Sequence, residues 1–212
     1  MLYEAQRKEL ADWCRLIYER GLVFASDGNF SMRMPDGAIL ITPSKRNKGF
    51  LHAEDLLVVA ADGHVLEGGV PSSEFPMHRH IYETRPEIQV VLHSHPPFST
   101  AFASAGRAVP ENYFVEAPLF LGTVPVTEFA VPGTSEMVRA IEPYTRQTNN
   151  LLLKNHGALV WDKNLEAAYN RLEVLEAVCR MAYYTEALGG ADVILPDQME
   201  RLRQAKQKKD KT

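Results

Sequence analysis

IQVVLHSH, residues 88–95, combines an apolar run with two closely spaced histidines. Its centre, Val90-Val91-Leu92, is a short apolar, β-branched run and predicts a buried strand. His93 and His95 stand two apart at the end of that strand. Side chains at i and i+2 of a strand point to one face. Two imidazoles on one face can share a metal ion, with zinc–nitrogen bonds of about 2.0–2.1 Å. A stiff, buried strand beneath them is the support that a preorganised ligand pair needs.

Working outward, Ser72-Ser73-Glu74 opens a predicted helix that runs to about Thr84 and stops before Pro86. A second short helix is predicted after Pro97. Further upstream, Leu10, Trp13, Cys14 and Ile17 have helical spacing over residues 2–20, and Gly21 follows as a C-cap. SDGNFSMRM (26–34), GAILITP (37–43) and DLLVVAADGHVL (55–66) are short apolar runs broken by Gly, Asp and Pro, which predicts strands. Asp62-Gly63 predicts a hairpin turn. Downstream, EAPLFLGTVPVTEF (116–129) reads as containing a strand, and Thr134 caps a helix to about Tyr144. LLLKNHGALVW (151–161) predicts two strand segments meeting at Gly157. Asn164 caps the longest helix, with apolar positions from Leu165 to Ala182, and Gly189-Gly190 stops it. Strands, some of them antiparallel, with helices at intervals predict one α/β layered domain over residues 1–190. Residues 191–212 read as a polar C-terminal tail.

The bulk composition narrows the function classes. A chain of 212 residues, 45% hydrophobic, can bury one sizeable core. A net charge of −4 argues against nucleic acid as a partner. The one basic run, RLRQAKQKKDKT (201–212), lacks aromatics for base stacking and reads as a solvated or frayed end. Only two cysteines are present, Cys14 and Cys179, both in helical patterns. They predict core filling in a reducing compartment, hence a cytoplasmic protein. No apolar stretch of about 18 residues exists, so no membrane association is expected. The N-terminus has no apolar signal core.

Of seven histidines, strand geometry singles out His93 and His95. His78 and His80 also stand two apart, but on a predicted helix, where i and i+2 diverge by about 200° and cannot chelate together. His52 and His64 fall in loops or turns and read as surface residues. His156 follows the run Leu151-Leu152-Leu153 and precedes Gly157. A histidine at a strand end beside a glycine turn can reach the ligands of a neighbouring strand.

Five segments taken together carry a family resemblance: Ser26-Asp27-Gly28-Asn29-Phe30-Ser31, Ile41-Thr42-Pro43-Ser44, Pro71-Ser72-Ser73-Glu74, His93-Ser94-His95 and Asn155-His156-Gly157. From about residue 5 to residue 190 the chain resembles the class II aldolase/adducin family, of the L-fuculose-1-phosphate aldolase type. The resemblance implies a three-layer α/β/α fold around a central, mainly antiparallel sheet, assembled as a homotetramer with the active site at a subunit interface. It implies a metal centre, Zn²⁺ or alternatively Mn²⁺, Co²⁺ or Fe²⁺, held by Glu74, His93, His95 and His156. It implies a small sugar phosphate as substrate, with Gly28, Asn29, Ser44, Ser72 and Ser73 around the phosphate.

These residue types suit that chemistry. Aldol cleavage leaves an electron pair beside a carbonyl, which a Lewis acid on the carbonyl and hydroxyl oxygens stabilises. Neutral histidines leave the charge of the ion largely intact. Glu74, displaced by substrate, becomes a general base. Free N–H groups and hydroxyls at Ser72-Ser73 make an anion site at a helix start, and the Gly28-Asn29 turn can add a backbone nest. Tyr113 and Glu116 are the candidate proton donors. Asp27 and Lys45 depart from the aldolase pattern, in which Ser and Gly are usual. The alternatives on this scaffold are a dehydratase using Glu116, a 4-epimerase of a ketose phosphate, and a non-catalytic adducin-like interaction module.

Overall fold

Alternation along the strands sorts side chains into two separate cores. In a computed structural model that describes residues 1–209, Val90 and Leu92 pack into one hydrophobic cluster while Val91 packs into another. The same split repeats at Leu40 against Ile39 and Ile41, and at Val160 against Leu159 and Trp161. Such a sheet is apolar on both faces and needs a helical layer on each.

Seven strands form that sheet: β1 (Asn29–Arg33), β2 (Ile39–Ile41), β3 (Leu57–Val59), β4 (Val65–Glu67), β5 (Val90–Ser94), β6 (Asn150–Leu153) and β7 (Gly157–Asp162). Their order is β4-β3-β2-β1-β5-β7-β6, and every ladder is antiparallel. The strand quoted at the outset is therefore central. Helices α1 (Glu4–Glu19), α3 (Pro97–Ala105) and α5 (Leu165–Ala187) cover one face; α2 (Phe75–Thr84) and α4 (Ser135–Ile141) cover the other. The fold is the three-layer α/β/α arrangement expected from the resemblance.

Local signals act as their chemistry requires. Asn164 accepts from Ala167 N at 2.7 Å and starts α5. Thr134 caps α4 by accepting from the amide of Glu136. Gly63, at φ +101°, makes the turn between β3 and β4. Cys14 and Cys179 are buried free thiols. Among the described residues, no helix is long and apolar enough to cross a membrane.

Two stretches differ from expectation. Residues 116–129 do not form a strand. Ala117–Leu121 is a π-helical turn, and only an isolated parallel bridge joins Val126 to Leu152. Pro118 and Pro125 each remove a ladder donor, and Pro125 contributes only its carbonyl, to Leu152 N at 2.9 Å. The stretch read as a solvated tail contains helix α6 (Pro196–Lys209). Its Met199 is buried, and Ile194 N donates to Asn112 O at 2.8 Å just ahead of it. Residues 210–212 of that tail lie outside the described residues.

Candidate metal centre

Three backbone devices bring the histidines together. His93 lies on β5, paired with Asn29 of β1 on one side and Leu159 of β7 on the other. His95 follows the strand end, on the same face. His156 sits in the turn from β6 to β7, next to Asn155 at φ +58°, a left-handed conformation that asparagine tolerates. Gly157 completes the turn because nothing larger fits: a Cβ there would lie 2.5 Å from Ser94 O and 2.6 Å from His95 Cδ2. The Asn-His-Gly triplet is thus explained residue by residue.

The three side chains offer nitrogens that all lie within 4.8 Å of one another. His93 Nε2 is 3.1 Å from His95 Nε2 and 3.3 Å from His156 Nε2. Nδ1 of His93 faces the carbonyl of Ala158 at 2.9 Å, so it must carry the proton and donate. Its Nε2 is then a bare lone pair aimed at the other two rings. Burial, reinforced by His156, pushes His93 down to about 3. Burial, reinforced by His93 and His156, pushes His95 down to about 4. Neutral imidazoles are the form that ligates a metal.

Glu74 comes from the N-terminus of α2. Its side chain does not cap the helix; its own N–H donates to Ser72 Oγ at 3.2 Å instead. Oε2 lies 3.4 Å from His93 Nε2 and Oε1 lies 3.6 Å from His156 Nε2. Asn29 Nδ2 donates to Oε2 at 2.7 Å, whereas Oε1 is buried with no hydrogen-bond partner. An orphaned carboxylate oxygen beside converging lone pairs is costly by itself and is relieved by a cation. In a tetrahedral zinc site, ligand nitrogens stand about 3.3 Å apart, close to the two spacings above. The donor set fits a divalent metal.

A cavity of about 270 Å³ opens beside the histidines. Gly28, Asn29, Ser44, Ser72 and Ser73 all line it, together with Asp27, Lys45, Glu74, His95 and His156. The expected anion-binding residues are therefore gathered in one place. Asn29 is constrained there, since its amide is engaged by both Glu74 and His78. Asp27, the first departure from the aldolase pattern, has its carboxylate 3.7 Å from His95 Nδ1. A carboxylate behind a ligating imidazole orients the ring.

Tyr113 and Glu116 are not brought to the cluster within one chain. Tyr113 donates to Glu186 Oε1 on α5 at 2.6 Å, and Glu116 is exposed at the start of the π-helical turn. Neither lines the cavity.

Two residues escaped the sequence reading. Lys48 is buried, and its Nζ donates to Ser26 O at 2.9 Å and Arg46 O at 2.8 Å, tying together two cavity-lining loops. Burial pushes its ammonium down to about 8. No periodicity marked it. His78, which shares no face with His80, is buried and bonded to Asn29 and Ser31. Its signal was present: Glu74, His78 and Tyr82 are spaced i, i+4, i+8, one face of a helix.

A family model described as the class II aldolase and adducin N-terminal domain matches residues 8–183. The chain is 34% identical over 174 residues to the L-fuculose phosphate aldolase of Methanococcus vannielii, spanning 82% of this chain and 93% of that one. It is 35% identical over 185 residues to the methylthioribulose-1-phosphate dehydratase of Methylococcus capsulatus, spanning 82% and 91% respectively. A solved structure of an L-fuculose 1-phosphate aldolase superposes with a TM-score of 0.85 at 28% identity, over 94% of both chains. With the sheet order, the histidine cluster and these matches in agreement, the chain belongs to the class II aldolase and adducin family.

Proposed function

We propose that this protein is a metal-dependent aldehyde-lyase that cleaves or forms a C–C bond in a sugar phosphate, pairing dihydroxyacetone phosphate with an aldehyde. The observation that carries the reading is Glu74. Its carboxylate stands against His93 and His156 with one buried oxygen unpartnered, at the edge of a cavity lined by serines and lysines. The similarity to an L-fuculose phosphate aldolase supports it.

In this reading His93, His95, His156 and Glu74 hold the ion, Zn²⁺ or else Mn²⁺, Co²⁺ or Fe²⁺. When bound, it supplies Lewis acidity to the carbonyl and neighbouring hydroxyl oxygens of the substrate. Ser72 and Ser73 at the start of α2, Ser44, and the Gly28-Asn29 turn bind the phosphate. Lys45 and Lys48 supply positive charge to the same cavity. Glu74 Oε1, the carboxylate oxygen without a hydrogen-bond partner, is the base that takes the proton from the carbon next to the carbonyl. The proton donor is Tyr113, Glu116 or a residue of a neighbouring subunit, in a homotetramer with the site at a subunit interface. With two buried free thiols and a small-molecule substrate, the protein works in the cytoplasm without nucleic acid or membrane partners.

The test is to incubate the metal-loaded protein with dihydroxyacetone phosphate and a panel of aldehydes, following product formation and proton exchange in heavy water. Condensation product, with exchange abolished in Glu74→Gln, is the expected result. Absence of both product and exchange under all conditions sinks the aldolase reading. The dehydratase relative gives the second reading its observation. Water loss from a methylthio-pentulose phosphate, abolished in Glu116→Gln, would replace the first reading by the second.

A further inference from the structure

Behind Glu74 runs a buried chain of polar side chains that begins at Asn29 and leads away from the cavity through His78, Ser31 and Tyr82. Asn29 Nδ2 donates to Glu74 Oε2 at 2.7 Å. His78 Nε2 lies 2.6 Å from Asn29 Oδ1, and His78 Nδ1 lies 2.7 Å from Ser31 Oγ. Ser31 Oγ in turn lies 2.8 Å from Tyr82 OH. Asn29, Ser31, His78 and Tyr82 are all buried.

The chain has one consistent proton arrangement. Asn29 turns its NH₂ to Glu74, whose Oε2 accepts. Its carbonyl oxygen then faces His78, whose Nε2 must donate. Burial, reinforced by His93, pushes His78 down to about 3, so the ring is neutral and Nδ1 accepts. Ser31 therefore donates to His78 and is left to accept from Tyr82. Every donor points towards Glu74. The arrangement is built from two sequence spacings: Glu74, His78 and Tyr82 at i, i+4, i+8 on α2, against Asn29 and Ser31 at i, i+2 on β1. At the far end the Tyr82 hydroxyl also lies 3.4 Å from Gln89 O, and Arg33, two residues further along β1, donates to the main-chain carbonyl of Tyr82 at 3.0 Å.

We infer that His78 is a positioning residue: acting through Asn29, it fixes Oε2 of Glu74 beside His93 and so sets the direction in which the unpartnered Oε1 is presented to the histidines and the ion they would hold. This rests on the reading of Glu74 as a metal-linked base given above. A carboxylate held at one oxygen presents the other at a defined angle; an untethered one rotates and presents either. Partners behind a metal-linked group set its orientation in this way.

The experiment uses the full chain loaded with Zn²⁺ or Co²⁺, measuring Zn²⁺ affinity by chelator competition and the visible absorption of the cobalt form. Two substitutions split the relay. His78→Gln keeps an amide that reaches Asn29. His78→Asn keeps an acceptor for Ser31 but is too short to reach Asn29. Expected is a loss of Zn²⁺ affinity of about 10–100-fold in His78→Asn, with a shifted cobalt spectrum, and recovery towards wild type in His78→Gln. Thermal midpoints are recorded for both, because a role confined to packing α2 on β1 moves stability without splitting the two variants in metal affinity. In a Glu74→Gln background, His78→Asn is expected to change affinity by less than about twofold, since the two then act as one unit.

If Glu74→Gln weakens Zn²⁺ but both His78 variants match wild type in affinity and spectrum, the relay is wrong and the role of Glu74 stands. Equal losses from His78→Asn in both backgrounds also overturn the relay. If Glu74→Gln itself leaves affinity and spectrum unchanged, the reading of Glu74 fails, and the relay with it. Should His78→Asn not fold, Ser31→Ala removes the donor to Nδ1 with little change of volume. It is expected to lower affinity in the wild-type background and not in the Glu74→Gln background; no loss in either overturns the relay.

Discussion

Replacing Gly157 by alanine adds one methyl group at the point where β7 leaves the histidine cluster. The added Cβ would lie 2.5 Å from Ser94 O, 2.6 Å from His95 Cδ2 and 3.4 Å from His93 Cε1. Carbon makes comfortable contact at about 3.5–4.0 Å, so the facing backbone must retreat by roughly 0.5–1 Å. Ser94 stands between His93 and His95, and both ligands move with it. Metal sites tolerate about 0.2 Å in ligand distance, so the shift cannot be absorbed by the bonds. A loss of Zn²⁺ affinity of about 100-fold or more is expected, equivalent to about 2.7 kcal/mol. Overpacking of this kind adds about 1–3 kcal/mol of destabilisation to the metal-free protein. Chelator competition measures the first quantity and urea unfolding with excess chelator the second. Gly69→Ala is the control, since an added Cβ there meets nothing within 4 Å. Should Gly157→Ala bind zinc as wild type does, the close approach of the β6–β7 turn to β5 does not shape the site, and the reasoning is refuted.

Three further outcomes follow from buried groups. His78, His93 and His95 are held by burial at about 3, 3 and 4, below the ordinary histidine value near 6.5. The unfolded chain therefore binds more protons than the folded one between those limits. Stability of the metal-free protein is full above pH 6.5 and falls as the pH drops, by about 2–4 kcal/mol per pH unit near pH 5. Urea midpoints with chelator present at pH 7, 6, 5 and 4.5 check this, and a flat profile contradicts it. Glu176 of α5 accepts from Phe98 N at 2.9 Å and from Ser99 N at 2.8 Å, closing the start of α3 just after His95. Glu176→Ala is expected to cost about 2–4 kcal/mol and to weaken metal binding, while Glu176→Gln, which keeps an acceptor, costs less; thermal unfolding of the pair decides. Arg7 is buried, donating to Leu2 O at 2.7 Å and to Ala53 O at 3.2 Å, and pairs with Glu67 at 3.1 Å. Arg7→Met is expected to destabilise by about 2–4 kcal/mol without changing zinc affinity in the folded protein, because its contacts are remote from the histidines; equal stability of the two proteins in urea would contradict it.

Much of the layer structure was legible locally. Val90-Val91-Leu92 reads as a buried strand because short β-branched runs have few other homes, and Asn164, Thr134 and Asp62-Gly63 act within their own few residues. Residues 116–129 misled because hydrophobicity was read without its hydrogen bonds: two prolines leave that run short of donors for a ladder. The tail misled for the opposite reason. A charge-rich segment conceals that Met199 supplies a buried anchor.

For the site, spacing within one element was decisive and spacing between elements was not. His93 and His95 share a face because strands repeat every two residues, and His78 and His80 diverge because helices repeat every 3.6. Those statements need no tertiary structure. That His156 reaches His93 depends on the register Leu153↔Gly157 and on β7 lying beside β5. That Asn29 stands between Glu74 and His78 depends on the pairing Asn29↔His93. Lys48 became part of the cavity only when its ammonium, two residues from Arg46, reached the carbonyl of Ser26, 22 residues back along the chain. A sequence states which side chains share a face of their own element, because local backbone geometry settles that. Which faces meet is settled by burying the apolar surface of all the elements at once, and so the metal pair was visible in the sequence while the third histidine, the carboxylate's orientation and the buried lysine were decided by the fold.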